Sequence, residues 1–170
     1  MAQSTFDGPV RSLSGAYNQG PNTIVTLGAT ATLSLAAHAG RICVVPATCA
    51  ITLPTIVTTA DPSSAGPGAD PNNTNNLGAV FTLFFNAISA GATAQTVTCG
   101  GSDKFVGELI VSGTTTMGFA SVTGTIITLN ATTTGGAARG SSITLVPVAA
   151  NVWSVNGVLI GSGTVATPFS

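Results

Sequence analysis

The sequence predicts an all-β fold: an antiparallel β-sandwich or jelly-roll-like single domain with an extended N-terminal arm. Three observations carry this. Short runs such as 23–27 and 30–35 alternate apolar and hydroxyl residues, and a period of two belongs to a strand with one buried face. Glycines at Gly100-Gly101, Gly113, Gly124 and Gly135-Gly136 punctuate the second half at strand-length intervals, as turns do. No stretch carries the 3.6-residue apolar period of a long amphipathic helix.

Residues 1–21 hold Gly8-Pro9, Gly15 and Gly20-Pro21 and sustain neither period, so they read as an extended arm. The arm carries Phe6, Asp7, Arg11 and Tyr17 in a chain sparing of charges and aromatics. Two readings stand side by side: a disordered terminus, or a segment that docks on a partner through these anchors.

Residues 22–161 form the β domain. Candidate strands are 23–27, 30–35, 41–45, 48–53, 80–86, 96–99, 105–111, 115–122, 125–129, 142–146 and 152–160. Asn156-Gly157 lies between Val152-Trp153-Ser154-Val155 and Val158-Leu159-Ile160, and this dipeptide predicts a type I′ hairpin because both residues tolerate positive φ. Residues 55–77 hold three prolines and four asparagines, and loops of that length are functional or disordered. Residues 162–170 read as a C-terminal tail.

A chain of 170 residues is long enough for one domain with a substantial core. Only 5% of its residues are charged, against roughly 25% in soluble domains. Hydroxyls take their place, with 27 Thr and 15 Ser. The net charge of −1 supplies no electrostatic footprint for nucleic acid or an anionic membrane, and neither partner is expected. Sparse charge of either sign favours association. The first residues have neither a basic start nor an apolar core of a secretory signal, so synthesis in a cytoplasm is expected.

Candidate chemistry is thin. His38 sits in Ala36-Ala37-His38-Ala39-Gly40, a predicted turn without an acidic neighbour in sequence. Asp103 and Glu108, five apart, would point to opposite faces of one strand, which disfavours a paired acid and base. Asp61 and Asp70 share the long loop without the regular ligand ladder of a calcium site. Cys43, Cys49 and Cys99 are an odd set, expected as free thiols rather than a Cys43–Cys49 bridge. Trp153 on an alternating strand is expected as a core or interface anchor. No catalytic residue, metal or cofactor is expected, and the protein is read as non-enzymatic. A glycan- or ice-binding surface would need threonines at a fixed repeat, and the sequence shows no such period.

Four segments recur in a fixed order: Phe6-Asp7-Gly8-Pro9-Val10-Arg11-Ser12; Ala50-Ile51-Thr52-Leu53-Pro54; Lys104-Phe105-Val106-Gly107; and Asn151-Val152-Trp153-Ser154-Val155-Asn156-Gly157, closed by Ala166-Thr167-Pro168-Phe169-Ser170. This pattern resembles the small β-rich structural proteins of tailed bacteriophages, in particular head decoration, or cement, proteins of phages infecting cyanobacteria. The resemblance implies a protein on the outer surface of an icosahedral head, bound to the major capsid protein, commonly as a homotrimer. It implies that the arm lies at a capsid or inter-subunit contact through Phe6, Pro9, Val10 and Arg11. Tail and fibre adhesion modules share similar β domains.

Overall fold

The computed structural model describes residues 23–58, 75–91 and 94–170. The anchors predicted for the arm, Phe6, Asp7, Pro9, Val10, Arg11 and Tyr17, lie outside the described residues, as do Asp61 and Asp70. Eleven strands and one short helix are present among those described: β1 Ile24–Thr26, β2 Thr30–Thr32, α1 Leu35–His38, β3 Ile42–Val45, β4 Cys49–Thr52, β5 Phe81–Phe85, β6 Gln95–Thr98, β7 Lys104–Ser112, β8 Thr116–Gly124, β9 Ile126–Leu129, β10 Ser141–Ala149 and β11 Val152–Ile160.

The chain is mostly β, and its strands form two sheets, of order β1-β3-β5-β10-β11-β7-β8 and β2-β4-β6-β9. Antiparallel pairing throughout is corrected to mixed pairing. β1 with β3, β3 with β5, β2 with β4, β4 with β6 and β7 with β11 all run parallel. For the first four of these pairs the reason lies in the path of the first six strands, which alternate between the sheets. Each pair β1–β2, β3–β4 and β5–β6 is one turn of chain, and the next turn repeats it in the same direction. Corner hydrogen bonds extend the ladders from turn to turn, with Leu27 N–H donating to Val44 O and Leu33 N–H to Thr52 O, both at 2.9 Å.

Alternation within each strand sends one set of side chains inward. Across the large sheet, Val25, Cys43, Leu83, Ile143, Gly157, Leu109 and Phe119 are in register. Across the small sheet Ala31, Ile51, Val97 and Ile127 do the same, and Ile127 bridges to Phe169 near the C terminus. Both rows join one hydrophobic core. Trp153 is fully buried there, edge-on to Phe81 at 5.7 Å between ring centres.

The hairpin predicted at Asn156-Gly157 is corrected: both residues lie inside β11, and neither has positive φ. Close packing explains the glycine. A Cβ at Gly157 would collide with the carbonyl oxygen of Ser142 on β10 and reach within 3.1 Å of Leu109 Cδ2 on β7. The chain turns earlier, at Ala150-Asn151, where Asn151 takes φ 59° and Ala149 pairs with Val152.

Two smaller differences follow from local chemistry. The strand predicted over 30–35 stops at Thr32, because the Ser34 hydroxyl accepts the Ala37 N–H at 3.4 Å and caps a single helical turn. His38, predicted in a turn, closes that helix.

Candidate interaction surfaces

The residues that could carry acid, base or nucleophilic chemistry are dispersed. His38 Nδ1 accepts the backbone N–H of Ser34 at 3.0 Å and is engaged locally. Asp103 is fully buried, whereas Glu108 is exposed in the middle of β7, so the two carboxylates face opposite ways. Among the described residues no group of three or more His, Cys, Asp or Glu side chains is placed to hold a metal.

All three cysteines are buried free thiols. Cys43 and Cys49 lie in different sheets, on β3 and β4. Burial pushes the Cys43 thiol up to about 11 against a partial opposing pull from Arg41. Burial, reinforced by Asp103, pushes Cys99 up to about 12 despite the opposing effect of Lys104. Burial raises Cys49 as well. The chemistry of these groups is packing, not nucleophilic attack.

Asp103 has a positional role. Its Oδ2 accepts the Ile56 N–H at 2.8 Å and the Trp153 indole N–H at 3.4 Å. Asn76 works beside it: its Oδ1 accepts Val57 N–H and its Nδ2 donates to Thr55 O, each at 2.9 Å. Thus Asp103 fastens the start of the 55–77 segment to the domain, and Asn76 ties the segment's end to that start. Sequence reasoning missed Asn76, which sits among four asparagines with nothing local to mark it.

What remains is surface, and the two sheets offer opposite kinds. On the outer face of the large sheet, Thr26, Val44, Phe84, Ser142, Val158, Ile110 and Gly118 are in register, beside Ile24, Ile42, Thr82, Thr144, Asn156, Glu108 and Ala120. Ile24 is 60% exposed, Ile42 43%, Val158 47% and Ile110 41%. Phe84 stands among them, and a shallow cavity of about 240 Å³ opens beside Thr26 and Val44. Glu108 is the single charge in the two rows, and its carboxylate lies against Gly118.

The outer face of the small sheet is hydroxylic. Thr30, Ala50, Thr96 and Thr128 form one row, and Thr32, Thr52, Thr98 and Ile126 the next. The expectation of no threonine repeat holds along the sequence, where Thr30, Ala50 and Thr96 are separated by 20 and then 46 positions. In space the threonines nevertheless align, because connections of unequal length return the strands to one register.

These features define an all-β protein with exposed isoleucine, valine and phenylalanine side chains on the outer face of the large sheet, a hydroxylic face on the small sheet and no assembled catalytic cluster among the described residues. Comparison with family models, curated proteins and solved structures finds no match to this chain.

Proposed function

We propose that this protein is a structural component of a tailed-phage head, a decoration protein that binds the outside of the capsid and bridges major capsid protein subunits. In this reading the two sheets pack face to face as a sandwich and the arm reaches a neighbouring subunit. The observation that carries the proposal is the set of exposed apolar side chains on the outer face of the large sheet. Ile24, Ile42, Phe84, Ile110 and Val158 would cover subunit surface, and the threonine face would meet water.

The energetics suit the task. Apolar burial contributes about 25 cal/mol per Å² without dependence on salt, whereas exposed ion pairs contribute roughly 0–1 kcal/mol and are screened. A charge-poor subunit therefore loses little in saline water. Self-association, as the homotrimer the resemblance implies, belongs to the same proposal.

The test is rebinding to heads assembled without this chain. Wild-type protein should saturate discrete sites on the head. Phe84→Asp and Ile42→Asp, each on the outer face, should weaken binding by about 10- to 100-fold, since burying one such side chain contributes about 1.5–3 kcal/mol. Full occupancy by both variants would remove the large sheet from the contact, and wild-type protein found on tails alone would exclude decoration.

A second reading, a tail or fibre adhesion module, has the threonine face in its favour, since in-register hydroxyls and methyl groups can meet a glycan. Retention on a glycan array that is lost in Thr52→Tyr would support it.

A further inference from the structure

Four strands end the two sheets, and three of those edges are short or covered. β1 and β2 have three residues each. The edge of β9 is occupied by the C terminus: Thr128 N–H donates to Pro168 O at 2.9 Å, while Ile126 and Ser170 exchange N–H donors and carbonyl oxygens at 3.0 Å each way.

The fourth edge, β8, is nine residues long, Thr116-Met117-Gly118-Phe119-Ala120-Ser121-Val122-Thr123-Gly124. It contains no charged residue and no proline. Among the described residues, the backbone of β8 makes no hydrogen bond to another backbone group apart from its pairing with β7. A bulge lies at its far end, where three steps from Ser121 to Gly124 oppose two from Gly107 to Phe105. The bulge interrupts the regular ladder there, and among the described residues Thr116 to Ser121 is left as regular free edge, with Met117 49% exposed.

An edge of this kind is a template for another strand, and proteins that remain single blunt it with lysine, proline or inward charge along its length. We infer that the free edge of β8 pairs antiparallel with β8 of a second copy of this chain, joining two large sheets across a two-fold axis. Two identical uncharged strands bring no like charges together. Antiparallel pairing is self-complementary, as a two-fold contact requires. The contact joins two copies whether each is otherwise alone or already part of a three-fold ring, and it does not depend on the capsid reading.

The test is the molar mass of the full chain by sedimentation equilibrium, for wild type, Met117→Lys and Ala120→Lys. Circular dichroism would establish that each variant is folded, and Thr26→Lys on the β1 edge serves as the control for added charge. The expected result is that both β8 variants have half the wild-type mass while the control keeps it. A wild-type mass unchanged in both folded variants overturns the inference. A wild-type monomer whose β8 variants instead lose binding to heads also overturns it, and assigns the edge to a capsid strand. If a lysine variant fails to fold, Thr116→Lys, exposed at the start of the same edge, takes its place with the same expected and overturning masses.

Discussion

The Asp103 carboxylate and the Trp153 indole meet inside the protein, with Oδ2 accepting Nε1–H at 3.4 Å and, on its other side, the Ile56 N–H at 2.8 Å. One oxygen therefore ties three parts of the chain together: the start of β7, the inward row of β11 and the segment after β4. Asp103→Ala would strand two donors, and a buried unsatisfied donor costs about 1–3 kcal/mol. Urea unfolding is expected to show a loss of about 3 kcal/mol. Asp103→Asn keeps an acceptor oxygen and should lose about 1 kcal/mol.

Gly157 separates a strand from a hairpin. In a type I′ turn an alanine at 157 would cost only the roughly 1–2 kcal/mol of positive φ. Within β11 its Cβ would strike the Ser142 carbonyl oxygen, and overpacking of this kind costs about 1–3 kcal/mol or more. Gly157→Ala is therefore expected to lower the melting temperature sharply, whereas Asn156→Ser, at an exposed site in the same strand, should change it little.

The thiols predict a pH dependence. Folding raises their pKa values and so suppresses their ionisation, the unfolded chain releases protons first, and stability falls as pH rises. The contribution is constant at neutral pH, begins to fall near the ordinary value of 9.0, and for Cys43 continues to fall until about 11. Unfolding free energies measured from pH 7 to 10.5 should follow this course, and Cys43→Ala should have a shallower decline. In the native protein at pH 8, a thiol reagent should modify none of the three cysteines at the rate seen in urea.

Asn76 predicts local order at the base of the long loop. Asn76→Ala removes the acceptor of Val57 N–H and the donor to Thr55 O, at a cost of about 1–3 kcal/mol. Hydrogen exchange should show the amide of Val57 losing its protection while those of β7 and β11 keep theirs.

Much of the fold was legible because period two is local. The strand expected over 105–111 is observed as Lys104–Ser112, and that expected over 80–86 as Phe81–Phe85. Trp153 is in the core, the cysteines are free, and Gly101 takes φ 57° in the turn that Gly100-Gly101 predicts. Asn156-Gly157 misled because its signal describes what a dipeptide tolerates. Two neighbouring strands, through Ser142 and Leu109, 15 and 48 positions away, required a residue without a side chain.

By itself the sequence determined that this protein is β-rich and poor in charge, and which side chains alternate inward, since these depend on residue type and on neighbours two positions away. Only the tertiary structure decided which strands meet. Ile42 pairs with Ile24 and with Thr82 at separations of 18 and 40 positions, and such closures leave no periodic trace. Through them the threonines reach one face, the exposed isoleucines reach another, and among the described residues β8 is left as the long free edge.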